Sequence, residues 1–138
     1  MKIFTTNYQN TFIEVAEDCP NKKGETPPVK PSGKTIANIQ YDLLSENPYK
    51  NTSDDLLFKC YTIKNNINSN ELKTSREQFF SKPQPCLRAS PLPKQYGWGI
   101  HYDEKGRIAI YGCETKEYKA FLEAPEIKKL KAMNSKRK

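Results

Sequence analysis

Long hydrophobic runs are missing from this sequence of 138 residues. A helix needs about 20 consecutive apolar residues to cross a bilayer, and no stretch approaches that length, so we expect no transmembrane helix. The first ten residues also lack the apolar segment that a secretory signal contains. These two absences predict a cytoplasmic protein that does not act at a membrane.

Closely spaced cysteine and histidine pairs are missing as well. The four cysteines are Cys19, Cys60, Cys86 and Cys113, and the only histidine is His101. Without a Cys-x-x-Cys or His-x-x-x-His pair, the usual half-sites of a zinc module are absent, and we expect neither a metal nor another cofactor. Reduced thiols, buried as small hydrophobic groups, are the prediction for all four cysteines. A Cys86–His101–Cys113 metal cluster stays open as an alternative.

Acidic residues are in deficit, since 16 Asp and Glu face 23 Lys and Arg, a net charge of +7. Six of the basic residues lie in the last eleven positions, which contain no acid, so that residues 1–127 carry only +1. A fold that grips nucleic acid needs a basic patch on its folded surface, which argues against that role for the body of the chain. We predict one domain over 1–127 and a basic, frayed tail over 128–138. Nucleic-acid binding through this tail is an alternative function.

Hydrophobic periodicity and turn residues predict an α+β fold. Apolar residues at helical spacing indicate a helix in 35–46, and a Ser cap indicates another in 69–80. The remaining predicted elements are a strand in 11–16, an irregular proline-rich loop in 17–34, a strand in 56–63, extended chain in 86–90, a hairpin of 98–102 with 107–111, a helix after Thr115, and a last helical turn from Pro125. This order favours an antiparallel sheet of about four strands with three to four helices packed on it.

The segment from Cys86 to His101 contains most of the side chains that carry chemistry. Arg and Lys attract anions, and Tyr and Trp offer stacking surfaces with a polar atom. We therefore predict a site for a small anionic ligand or a protein partner, formed by Arg88, Ser90, Lys94, Tyr96, Trp98 and His101. This site requires Arg88 and His101 to lie on the same side of the sheet. In the simpler alternative, Arg88 pairs with a surface carboxylate and Trp98 anchors the core.

An enzyme that uses Cys86 or His101 is the alternative to a binding domain. His101 has the only side chain whose ordinary pKa lies near neutrality, and it could act as the base for a Cys86 nucleophile, with Asp54 or Asp55 as the orienting acid. No nucleophile elbow or cysteine-enzyme signature supports this pair. The enzyme hypothesis requires one of the two side chains in a concave pocket, within hydrogen-bond reach of a second polar group.

Four stretches of the sequence resemble a family of small bacterial proteins of unknown function. They are residues 10–20 (NTFIEVAEDCP), 52–55 (TSDD), 85–92 (PCLRASPL) and 96–101 (YGWGIH). The resemblance extends from about Lys2 to Met133, and the last two stretches are its distinctive motifs. It implies a bacterial, cytoplasmic, single-domain protein, and it transfers no activity, cofactor or catalytic residue.

Overall fold

The computed structural model describes residues 4–134. These residues contain four strands and five α-helices. This confirms the α+β fold. In chain order the elements are β1 (Thr11–Glu14), α1 (Ile36–Glu46), α2 (Ser53–Asn65), α3 (Leu72–Phe79), α4 (Pro91–Gln95), β2 (Trp98–Tyr102), β3 (Ile108–Gly112), α5 (Lys116–Glu123) and β4 (Lys128–Lys131). Single 3₁₀ turns, Ser69–Glu71 and Leu87–Ala89, precede α3 and α4.

The sheet has the strand order β3-β2-β1-β4. The β2–β3 pair is the predicted hairpin, and Gly106 in its turn has a φ of +79°, a conformation that glycine adopts without strain. β1 pairs antiparallel with β2 but parallel with β4. The sheet is therefore mostly antiparallel, as predicted, with one parallel pair at its edge.

The two faces of the sheet carry different side chains. Ile100 and Tyr102 of β2 are fully buried on the face that packs into the main core. On the opposite face, the ring of Phe12 contacts that of Tyr118 in α5, with centroids 4.9 Å apart. A Cβ atom at Gly99 would lie 2.5 Å from Phe12 and 2.6 Å from Tyr118, so only glycine allows these two rings to approach the strand.

The prediction of a strand in 56–63 is wrong, because this segment belongs to α2. The Thr52 hydroxyl accepts a hydrogen bond from the Asp55 backbone N–H, and the Asp55 carboxylate accepts one from the Thr52 N–H, both at 3.1 Å. This capping box satisfies two N–H groups that a helix start leaves unpaired. Leu56 and Cys60 then bury one face of the helix. The cap and this burial outweigh the strand preference of the Phe, Tyr and Thr side chains, which depends on context.

The prediction of a frayed tail is wrong for its first four residues, which form β4. Leu130 packs against the main core, and Ala132, just after the strand, belongs to it. Lysine is common on edge strands, because its charge discourages pairing with another chain. Residues 135–138, the rest of the predicted tail, lie outside the described residues.

Two of the tail lysines are engaged within the fold. The Lys129 ammonium donates to the backbone carbonyl of Ala124, and Lys131 forms an ion pair with Glu17 at 2.9 Å. The prediction of a helical turn from Pro125 is also wrong, since a turn closed by the Ile127 N–H and the Ala124 carbonyl leads directly into β4.

None of the helices in residues 4–134 has the length and apolar character of a membrane span.

We expect Thr52→Ala to lower the free energy of unfolding by about 1 kcal/mol, because it removes the hydroxyl that caps α2. Urea denaturation followed by circular dichroism measures the change. Thr74→Ala, at an exposed position of α3, is the matched control, and its effect should stay within about 0.5 kcal/mol. Equal effects of the two substitutions would contradict the role of the cap.

Candidate functional site

The segment 86–95 does not run extended from end to end. A 3₁₀ turn at Leu87–Ala89 is followed by α4, so the prediction of extended chain in 86–90 is wrong. Ser90 caps α4 by accepting a hydrogen bond from the Leu92 N–H at 3.2 Å, and Pro91 occupies the first helical position, where its missing N–H costs nothing. The segment therefore folds back against α1.

A buried hydrogen bond joins this segment to α1. The Ser90 hydroxyl donates to Oε1 of Gln40 at 2.6 Å, and the two residues are 5% and 3% exposed. No described residue accepts a hydrogen bond from Nε2 of the same amide. The Gln40 side chain lines an open space at this point of the fold.

This space, which we name the Cys86 cleft, lies between α1, α2 and residues 85–91 and has a volume of about 170 Å³. Its polar groups are the Gln40 amide, the Ser90 hydroxyl and the Cys86 thiol. The remaining lining is apolar and consists of Ile36, Leu57, Pro85, Leu87, Ala89 and Pro91. The arrangement suits a small, mostly apolar molecule that is oriented by a few hydrogen bonds.

The Cys86 thiol has a phenol beside it. Tyr8 donates a hydrogen bond to Sγ at 3.5 Å, and Cys86 is half-buried. The hydrogen bond to Cys86, followed by burial, raises the pKa of the Tyr8 hydroxyl, while the charge of Arg88 lowers it. Cys86 therefore meets the geometric requirement for a functional thiol, a concave site with a second polar group in reach.

Behind the thiol lies a buried polar cluster at the start of α2. The Asp54 carboxylate accepts hydrogen bonds from the Thr5 hydroxyl at 2.6 Å and from the N–H and hydroxyl of Thr6 at 2.7 Å. Burial raises the pKa of the Tyr102 hydroxyl, and the approach of Ser53 offsets part of this effect. This hydroxyl is fully buried, approaches Ser53, and completes no hydrogen bond within residues 4–134.

Arg88 joins two parts of the fold. Its Nε donates to the Lys131 carbonyl at 2.6 Å, and its own carbonyl accepts from the Met133 N–H at 2.9 Å. These two bonds attach the 3₁₀ turn to the end of β4. The predicted surface ion pair of Arg88 with a carboxylate is absent from the described part of the chain.

Three more of the predicted site residues, Lys94, Tyr96 and Trp98, do not line the cleft. Trp98 donates from Nε1 to the Glu25 carbonyl at 2.9 Å, and its ring packs against Tyr41, with centroids 5.5 Å apart. Tyr96 accepts from the Glu25 N–H at 2.8 Å through its carbonyl. Trp98 and Tyr96 thus fasten the proline-rich loop to the fold. The half-buried Lys94 does not line the Cys86 cleft.

His101 takes part in a separate hydrogen-bonded chain. The Tyr49 hydroxyl lies 2.8 Å from Nδ1 of His101 and 2.8 Å from the Tyr111 hydroxyl, and the Phe121 ring stacks on the imidazole with centroids 4.1 Å apart. Tyr49 has a φ of +59°, which is rare for a large side chain, and its N–H donates to the Ile108 carbonyl at 2.8 Å. The fold therefore holds Tyr49 in a strained conformation that reaches the imidazole.

The sheet separates His101 from the Cys86 cleft. Leu87 packs into the main core with Ile100, whereas His101, the next residue of β2, points to the face that α5 covers. The expectation that Arg88 and His101 share a site is therefore wrong, and so is the Cys86–His101 nucleophile–base pair. Within residues 4–134, no three His, Cys, Asp or Glu side chains are placed to hold a metal ion, so the Cys86–His101–Cys113 cluster does not form.

The four cysteines are free thiols in different surroundings. Cys19 and Cys60 are buried, as predicted, and burial raises the pKa of the Cys60 thiol to about 12. Cys86 and Cys113 are only half-buried, and burial raises the pKa of Cys113 above its ordinary value. Of the four, Cys86 is the one whose sulfur accepts a phenol hydrogen bond.

Sequence reasoning missed three residues of these sites. Gln40 lies four residues after Ile36 and four before Leu44, so its helical spacing placed a polar side chain on the apolar face of α1, which was a usable signal. Tyr8 and Tyr49 lie in irregular chain, where no periodicity shows which way a side chain points. Their contacts with Cys86 and His101 span 78 and 52 residues.

Comparison with known proteins gives one match that decides the family. The profile of a family of unknown function, DUF6157, matches residues 3–138. The chain belongs to the DUF6157 family. The comparisons of this DUF6157 protein with curated proteins and with solved structures found no match. The family match covers both the Cys86 cleft and the His101 chain, and it assigns no activity to either.

We expect the DUF6157 protein to lose stability as the pH falls below about 6.5, through His101. Burial lowers the pKa of His101 in the folded chain, and the charge of Asp103 offsets part of this effect. Below the ordinary histidine pKa, the unfolded chain therefore binds more protons than the folded one, and the free energy of unfolding falls until the pH passes the lowered pKa.

Urea denaturation at about pH 7.5 and about pH 5.5 tests this, because most carboxylates stay ionised over that interval. His101→Gln should lose less stability between the two values than the parent protein, since glutamine does not titrate. An equal loss in both proteins would contradict the assignment.

Proposed function

We propose that this DUF6157 protein is a binding domain for a small, largely apolar molecule that carries a carbonyl or carboxylate oxygen, held in the Cys86 cleft. The observation that carries the proposal is the Gln40 amide. Its Oε1 is occupied by Ser90, while its Nε2 finds no acceptor among residues 4–134, although the residue is only 3% exposed. Since this donor lines the cleft, a ligand oxygen would accept its hydrogen bond in place of water, and the buried amide would orient the ligand.

The lining of the cleft limits the size and charge of the ligand. A volume of about 170 Å³ is below the 300–1,000 Å³ typical of sites for drug-sized molecules, so the ligand has few atoms. Apart from Gln40, Ser90 and Cys86, the lining residues are apolar, and none is a cation. Since Arg88 is bound to the Lys131 carbonyl, we favour a neutral carbonyl compound or a singly charged carboxylate, where the sequence predicted a small anionic ligand or a protein partner.

Binding is better supported than catalysis at this cleft. A cysteine nucleophile needs a base or a cationic neighbour that generates the thiolate. The phenol that touches Cys86 donates its proton to the sulfur, so it is not placed to accept one, and the nearby Arg88 donates to the Lys131 carbonyl. His101, the residue suited to the task, lies on the other face of the sheet. The thiol therefore acts as a soft, polarisable wall of the cleft.

Titration of the ¹⁵N-labelled protein with isobutyramide and isobutyrate, monitored by NMR, tests the proposal. Both probes combine a branched apolar group with an acceptor oxygen, and isobutylamine, which has no such oxygen, is the matched probe without it. We expect the two oxygen-containing probes to shift the resonances of Gln40, Cys86 and Ser90, and isobutylamine to leave them unchanged.

Two substitutions locate the site. Gln40→Glu replaces the free donor by an oxygen, and Ala89→Leu fills the cleft, so each should weaken probe binding at least about tenfold. Gln78→Glu, the same chemical change on α3, should leave binding unaltered. Shifts confined to other parts of the protein, or equal affinity in all three variants, would overturn the assignment of the cleft.

A further inference from the structure

Helices α2 and α3 expose an aromatic and basic surface that is separate from the Cys86 cleft. Phe58 and Tyr61 of α2 pack against Phe79 of α3, with ring centroids 5.9 Å and 4.8 Å from it. Phe79 also contacts Phe80, and Tyr61 remains 37% exposed. These rings attach α3 to α2, and they leave apolar surface at the boundary between the two helices.

A groove of about 340 Å³ runs along this boundary, and we name it the α3 groove. It is lined by Phe58, Lys59, Thr62, Leu72, Lys73 and Arg76. Its lining thus contains three cations, two large apolar side chains and no carboxylate. Leu72 is 38% exposed, although leucine is usually buried. Exposed apolar surface with a polar rim is typical of a site for a partner.

The three cations of the α3 groove differ in their availability. Arg76 is held in place, because it pairs with Asp55 at 3.0 Å and its guanidinium lies 5.6 Å from the centre of the Phe58 ring. Lys59 donates to the neutral amide oxygen of Asn51 at 2.6 Å and forms no ion pair with a described residue. Lys73 is exposed and forms no ion pair with any described residue. Two positive charges on the rim therefore lack a negative partner.

We propose that the α3 groove binds an acidic, amphipathic segment of a partner protein. An apolar side chain of the segment would pack on the exposed Leu72, and its Asp or Glu residues would pair with Lys59 and Lys73. Helical segments commonly bind in this way, with apolar anchors in a groove and charges at its edge that set the orientation and the partner.

Single-stranded nucleic acid, which basic grooves with aromatic side chains also bind, fits the α3 groove less well. Bases stack on open ring faces, but Phe58 is covered by Arg76 and flanked by Tyr61, whose ring is nearly parallel to it with centroids 6.2 Å apart. The guanidinium that would contact a phosphate is already paired with Asp55. Apolar contact with carboxylates at the rim is therefore the better match.

Fluorescence anisotropy with a fluorescein-labelled peptide that repeats Glu-Glu-Leu-Phe three times tests the proposal on the full chain. A peptide with Gln in place of Glu, a peptide with Lys in place of Glu, and an oligothymidylate of similar length are the comparison probes. We expect the acidic peptide to bind most tightly, and its affinity to fall as salt is added, because the charges at the rim are exposed to solvent.

Lys73→Glu should lower the affinity of the protein for the acidic peptide by about tenfold or more. Lys119→Glu is the matched control, because both lysines are exposed on a helix four residues before a glutamate, Glu77 and Glu123. The control should keep the parent affinity, and thermal denaturation should show that both variants fold. The proposal would be overturned if the oligothymidylate bound more tightly than the acidic peptide, or if the acidic peptide did not bind. It would also be overturned if both variants lost the same affinity, or if the protein formed a dimer that Lys73→Glu converts to monomers.

Discussion

Successive residues of a β-strand point to opposite faces of the sheet, and along β2 this constraint organises the whole molecule. Ile100 and Tyr102 enter the main core with α1, α2 and α4, while His101 between them faces α5. The cleft and the histidine therefore belong to separate environments. A slip of one residue in the pairing of β2 would exchange the two faces, and the core would lose both large side chains.

Buried polar groups determine the shape of the core side. Gln40 and Ser90 hold α1 against the segment before β2, and Asn38 donates to the Pro27 carbonyl at 2.9 Å, which attaches the proline-rich loop to the same helix. Such bonds fix positions, because breaking one leaves a desolvated group without a partner. The bond between Ser90 and Gln40 therefore joins two walls of the cleft within the folded chain itself.

Local signals made part of this structure predictable. The turn at Gly106 and the alternation on either side of it indicated the β2–β3 hairpin. For α2, Thr52 and Asp55 supplied a capping signal that competed with a β-rich composition, and the composition was misleading. Ser90-Pro91 was likewise a helix start in a segment interpreted as extended.

Long-range contacts account for the rest. The strand β4 is stabilised by pairing with β1, more than a hundred residues earlier in the chain. The four residues of β4 contain no local signal that predicts this pairing. The bonds of Ser90 with Gln40 and of Tyr49 with His101 span 50 and 52 residues. A sequence pattern predicts which face of an element is apolar, but it does not show which two elements meet. The candidate site was for that reason predicted on one stretch of chain, whereas the residues that line the Cys86 cleft come from three.

The central claim is that the sheet separates His101 from the cleft that contains Cys86. Nuclear Overhauser effects from the His101 ring protons measure this directly, since they report only on protons close in space. The account predicts cross-peaks from His101 to the ring protons of Phe121 and Tyr49, and none to the side chains of Cys86 or Arg88. A cross-peak between His101 and Cys86 would contradict it.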